Sequence, residues 1–380
     1  IYPDDDHDGI ADNGKALKIA GATSYDLSTR AIIGYADTTA PYEGDISIYM
    51  YGGTIGSLYG ARGKANITGS QAQVDGTVSL YIKGGKISSN TYIANLAVVK
   101  KAELYATAGT MYQYVYGLGV ATADELVFQF TDQAQMAQTA YRENYKMYVT
   151  SSAVVNKSVN VRIGASGSRY AFANYNGQQI TGSSSVFGLC DSTIHGSVKY
   201  DIIGNWEVGG SGKNYLSYNS TIDGDMDVLL DTNSFGVSGA LENTTVCTLA
   251  YGGTVGDINI TDKTGRNNYT VAANGIVDNI RAKRTVSGNV RGIVTYIYQN
   301  NNNWTLNGGL YAEDYLDLYL GGAYTIDKDV ETRDIHTLKD SNITIADGVK
   351  VVYTGDADLN GTLTNKGSLT CKGDRYSKST

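Results

Sequence analysis

Two groups of side chains in this sequence have the type and spacing to do chemistry. The first is Asp4-Asp-Asp6-His-Asp8-Gly9-Ile10-Ala-Asp12. Counted from Asp4, carboxylates stand at the first, third, fifth and ninth positions, glycine at the sixth and a backbone carbonyl at the seventh. That is the order in which an oxygen-lined loop wraps a calcium ion. The expected ligands are Asp4, Asp6, Asp8, Ile10 through its carbonyl, and Asp12. Lys15 stands where such a loop places its bidentate glutamate, so Asp5 or a carboxylate from elsewhere would have to complete the shell. An acidic, solvated terminal segment is the competing reading. A poorer candidate, Asp356-Ala-Asp358-Leu-Asn360-Gly361, reads more simply as a turn between strands.

The second group is tyrosine, 31 residues of 380. Tyr49, Tyr81, Tyr105 and Tyr319 occupy one slot of a recurring strand, close before a pair of small residues, and Tyr51 and Tyr251 occupy the next. Strands stacked in register would align them as a column. Flat aromatic rows suit stacking against sugar rings, with Asn, Ser and Thr supplying hydrogen bonds. Cross-strand packing that merely stiffens a sheet is the alternative.

The element that must position these side chains is a repeated phrase. Gly44-Asp-Ile-Ser-Ile-Tyr-Met-Tyr-Gly-Gly-Thr-Ile-Gly56 returns as Gly76-Thr-Val-Ser-Leu-Tyr-Ile-Lys-Gly-Gly-Lys-Ile-Ser88, with degenerate copies to the end. One strand and one turn per unit is the mark of a coiled β-solenoid. The chain is therefore expected to be all-β, a single right-handed parallel β-helix with irregular coils. Alternation sends Ile46, Ile48 and Met50 inward, and likewise Val78, Leu80, Ile82; Ala102, Leu104, Ala106; Leu126, Phe128, Phe130; Val159, Val161, Ile163; Val198, Tyr200, Ile202; and Met226, Val228, Leu230. Weaker copies give Val246, Thr248, Ala250 and Leu316, Leu318, Leu320. Roughly 14–17 coils would make a rod roughly 70 Å long. The helix formers and the spacing of Met136, Ala140, Tyr141 and Tyr145 predict a short helix or loop excursion near 132–147. The body is expected over 44–326, after an acidic N-terminal segment and cap at 1–43 and before closing coils at 327–380.

Composition agrees with this plan and excludes several partners. Proline is limited to Pro3 and Pro41, as stacked strands that cannot spare an N–H require. A net charge of −8 with no basic run argues against nucleic acid and anionic lipid surfaces. No apolar run reaches the length of a membrane helix. Cys190, Cys247 and Cys371 are too few and too far apart for a disulfide framework; buried ladder positions are expected for at least two of them.

The phrases Gly52–Gly56 and Gly252–Gly256, with the tail Leu359-Asn-Gly-Thr-Leu-Thr-Asn-Lys-Gly367, resemble adhesin-like β-helix regions of large bacterial cell-surface proteins over about residues 44–370. The Asp4–Asp12 run resembles the Asp-x-Asp-x-Asp-Gly-Ile-x-Asp units of extracellular calcium-repeat proteins. These resemblances imply a secreted or surface-attached module that contacts polysaccharide or host glycan. A structural stalk whose ends stack on other copies is the first alternative. The second is a β-helix polysaccharide lyase or hydrolase, against which the chain is not expected to be an enzyme. Arg281-Ala-Lys283 and His195-Gly196 are faint echoes of polygalacturonase motifs, without paired mid-chain acids and a histidine. The three histidines, His7, His195 and His336, lack a nucleophile at a recognisable spacing.

Overall fold

A strand that buries every second side chain needs something apolar beneath it and another strand above it. In the computed structural model each is supplied by the chain's own neighbouring coils. The structure describes residues 17–19, 27–64, 70–137, 146–164, 169–171, 185–203, 205–207, 214–231, 247–263, 269–273, 275–284, 295–296, 298–299, 305–312 and 317–373. Every strand pairing among them is parallel, and none of them is helical.

One column of side chains shows how the stack is built. Ile46, Val78, Ala102, Leu126, Val159, Val198, Met226, Ile258, Ile280, Leu310, Val330, Val351 and Leu369 are each in register with the next. All but the last are buried. Strand Leu17–Ile19 pairs beneath Ile46–Met50 and adds a first tier. At the ordinary spacing of strands this column spans about 58 Å. The parallel solenoid expected from the repeat is thus the fold, and the ladder crosses residue 326 without a break.

Each coil has three main faces. The second face carries Ile46–Met50 and its successors. The third begins with Leu27–Tyr35 and Thr54–Arg62 and continues through Asn90–Asn95, Tyr114–Leu118, Lys146–Ser151, Ser185–Cys190, Asn214–Tyr218, Cys247–Tyr251 and Tyr269–Ala273. The first is short and includes Thr193–Ile194, Thr221–Ile222, Thr254–Val255 and Ile276–Val277. Corners need backbone that turns sharply. At the bend after the second face Gly53, Gly85 and Gly109 have φ of 82°, 86° and 90°, which side-chain-bearing residues rarely adopt. The corner after the third face uses Leu96, Ser152, Asp191, Asn219 and Gly252, all left-handed. There Ser192 Oγ accepts from Ala153 N, and Ser220 Oγ accepts from Ser192 N, so hydroxyls bridge the bends of adjacent coils.

Several expectations are corrected. The excursion near 132–147, expected as a short helix or a loop, has no helix among the described residues: Gln135–Ala137 is a strand, with Met136 buried on Met111, and Lys146 opens another strand. A core position available on the coil below outweighs the weak helix propensity of this stretch. Residues 138–145, which include Ala140, Tyr141 and Tyr145, lie outside the described residues. Of the copy read as Val246, Thr248, Ala250, Val246 lies outside the described residues, and Ala250 is buried as expected but on the third face. Leu249, fully buried, points inward on the third face, while Ile258 and Ile280 continue the column above Met226. Leu316 lies outside the described residues; Leu318 and Leu320 are buried as expected, on a four-stranded ladder of Tyr298–Gln299, Asp317–Leu320, Asp334–Thr337 and Ala357–Leu359. Cys190 is buried and Cys371 is exposed.

Candidate ligand-binding surface

Residues next to the inward column point outward, and on the second face three of them are tyrosines. Tyr49 stacks on Tyr81 with ring centroids 4.4 Å apart and planes 7° from parallel; Tyr81 stacks on Tyr105 at 5.2 Å and 8°. The coil spacing imposes this distance, because in-register strands bring equivalent side chains within van der Waals contact. Beside the column Ser79 Oγ donates to Glu103 (2.8 Å), and Lys101 pairs with the same carboxylate at 2.9 Å. Burial raises the phenol pKa of Tyr81 and of Tyr105, the latter also through the charge on Glu103. Above Tyr105 the column passes to Gln129, Arg162 and Asp201.

Face-to-face stacking has a consequence for sugar recognition. The π-faces of Tyr81 are covered by its neighbours, leaving ring edges and hydroxyls toward solvent. Tyr51 is different. It lies beside Tyr49, 6.2 Å away and within 9° of parallel, and is 48% exposed. The next coil places Gly84 over its backbone, where a Cβ would fall 2.3 Å from the Tyr51 carbonyl oxygen. Gly84 must therefore stay glycine, and it is Lys83 of the same coil that reaches over the Tyr51 ring. Lys83 Nζ lies 5.7 Å from the ring centroids of both Tyr49 and Tyr51, and Lys86 Nζ lies 4.7 Å from that of Tyr112.

The other two tyrosines of the expected set stand elsewhere. Tyr251 ends a third-face strand and stacks on Tyr218, at 5.3 Å and 3°. Tyr319 is in register with Tyr298 and His336 on the four-stranded ladder. Neither joins the column of Tyr49, because strand alternation distinguishes inside from outside but not one face from another.

A longer column on the third face was missed. Tyr59, Tyr92, Tyr116 and Tyr148 stack at 5.2, 4.3 and 4.8 Å with planes within 7° of parallel. Arg62 lies over Tyr59, its guanidinium carbon 4.4 Å from the centroid. Burial, followed by the neighbouring phenols, raises the pKa of Tyr92 and Tyr148 well above the ordinary tyrosine range, and burial raises that of Tyr116. The signal was present: these four tyrosines recur at nearly the intervals of the inward residues Ile46, Val78, Ala102 and Leu126 that were already aligned, apart from the last step.

Acids and bases elsewhere form structural pairs. His195 Nδ1 is 2.8 Å from Asp223, and Arg281 pairs with Asp257 while lying over Tyr311. His195 and Arg281 are three tiers apart, about 14 Å along the axis, so the two polygalacturonase-like fragments do not meet. Asp317, Asp334 and His336 offer three ligand atoms within 4.8 Å of one another. Arg333 already occupies that cluster: Nε donates to Asp317 at 2.7 Å, a second bond runs from Nη2, and Asp334 lies 3.5 Å away. Desolvation nevertheless raises the Asp317 pKa. Asp356–Gly361 forms a coil, with Ala357–Leu359 paired to Ile335–Thr337. The calcium set Asp4, Asp6, Asp8, Ile10 and Asp12 lies outside the described residues. No helix among the described residues is long and apolar enough to cross a membrane. Comparison with protein-family models, curated proteins and solved structures finds no match.

Proposed function

We propose that this chain is a secreted or cell-surface β-solenoid of the adhesin kind, a rigid rod that binds polysaccharide. The observation that carries the reading is the arrangement at Tyr51. One aromatic ring stands 48% exposed beside a ring held parallel to it by a stacked column, with the exposed side chain of Lys83 reaching over both. A sugar ring laid on Tyr51 would meet a surface already ordered by its scaffold, which lowers the entropic penalty of binding. Hydroxyls of the two tyrosine columns and the exposed Ser, Thr and Asn side chains supply the polar contacts around it. The platform is one ring and not the whole column, since the faces between stacked rings are covered.

The test is retention of the full chain on insoluble polysaccharides, neutral and acidic, for the wild type and Tyr51→Ala. Loss of one aromatic platform should weaken retention about three- to tenfold. Equal retention of both proteins would overturn the assignment of Tyr51, and no retention on any polysaccharide would overturn the function. A second reading, a load-bearing stalk without a ligand, is favoured by the covered ring faces themselves. Retention that depends on Tyr51 separates the two.

A further inference from the structure

The corner that carries Tyr51 also carries charge. Cations on nearby coils have carboxylate partners: Lys100 with Asp75 at 2.5 Å, Lys101 with Glu103 at 2.9 Å, Lys157 with Asp124 at 3.1 Å. Lys83 and Lys86 are exposed on the coil immediately above Tyr51, separated only by Gly84 and Gly85. Among the described residues neither has a carboxylate within ion-pair distance; their ammonium groups lie over the rings of Tyr49, Tyr51 and Tyr112 instead. A ring face holds a cation in place without neutralising it. In a chain of net charge −8 these are two oriented positive charges with an unmet demand for an anion. The acids nearest along the rod are committed or displaced: Glu103 is held by Ser79 and Lys101, and Asp132 sits at the equivalent bend two tiers further on, about 10 Å away.

We infer that this corner binds a carboxylate-bearing glycan, a polyuronate in chemical class. The sugar ring packs on the exposed part of the Tyr51 ring, Lys83 swings off that ring to pair with the carboxylate of the same sugar, and Lys86 pairs with one on a neighbouring sugar. The inference rests on the polysaccharide-binding reading above and names its ligand class. A half-exposed aromatic ring with two lysines beside it matches a polymer that alternates ring surface and anionic charge. An unsubstituted glucan leaves both ammonium groups unused.

The test uses the full chain in affinity electrophoresis through gels containing polygalacturonate, dextran sulfate or neutral hydroxyethyl cellulose. Wild type is compared with Lys83→Gln/Lys86→Gln, and far-UV circular dichroism checks that the exposed substitutions leave the fold intact. Polygalacturonate should retard the wild type, less so as salt rises, and the double substitution should weaken that binding about tenfold. Binding to polygalacturonate unaffected by the double substitution overturns the inference, as does equal retardation by dextran sulfate. Retention by the neutral glucan alone overturns it while leaving the polysaccharide-binding function standing. No retardation by any of the three overturns both.

Discussion

Alkaline pH should unfold this protein through its tyrosine columns. In the unfolded chain a phenol ionises near pH 10. In the folded chain Tyr92, Tyr116 and Tyr148 hold their protons to higher pH, because burial between parallel rings disfavours the phenolate. Above pH 10 the folded state therefore binds more protons than the unfolded state, and stability falls as pH rises; below pH 10 the contribution is fully present. One unit above the unfolded value, each fully shielded phenol removes about 1.4 kcal/mol. For three the figure is about 4 kcal/mol, reduced to about 2 kcal/mol if their half-exposed edges halve the effect. Either is a large part of a domain's usual margin of about 5–15 kcal/mol. Far-UV circular dichroism and tyrosinate absorbance, followed together from pH 8 to 12 (a range chosen to bracket about pH 10), should change in one cooperative transition. Replacing the three with phenylalanine keeps the stack and removes the protons, so it should move the transition up by a few tenths of a pH unit or more. Gradual tyrosinate formation near pH 10 with the β-sheet signal intact would refute the reasoning. So would a triple variant with an unmoved midpoint.

Two further substitutions test the interior. Phe128 is fully buried between Leu104 and Val161, with its ring against Gly117 across the core, so Phe128→Ala should destabilise by about 3–5 kcal/mol, read as a shift in urea midpoint. Arg333→Met strands the buried carboxylate of Asp317 and should destabilise by about 3–5 kcal/mol at neutral pH. Without its partner Asp317 protonates more readily when folded than when unfolded, so that loss should shrink as pH falls toward about 4, seen by repeating the denaturation across pH.

The inward residues of the seven strong copies were legible because a strand on a solenoid core repeats every second residue, and Ile48, Leu80, Leu104 and Phe128 keep that rhythm without interruption. Tyr200 was legible too, despite its hydroxyl: the ring is buried in the column and the hydroxyl donates to the Leu216 carbonyl at 2.6 Å. The setting of Tyr51 was not. It depends on Gly84, 33 residues further on, lying against the Tyr51 backbone, and on the bend that brings Lys83 over the ring.

By itself the sequence determined that the chain winds into parallel coils and which side of most strands faces the core, because both follow from alternation and from the spacing of small residues. Only the tertiary structure decided which face each strand occupies. The phrase Gly-Gly-Thr-Ile/Val-Gly turns the chain from the second face to the third at Gly52–Gly56, yet from the third to the first at Gly252–Gly256. The same residue types serve both bends, with Gly53 left-handed at the first and both Gly252 and Gly253 at the second. The face is set by which earlier strand offers its free amides and carbonyls one tier below, a pairing between residues about 20 to 40 positions apart that no short stretch of chain encodes.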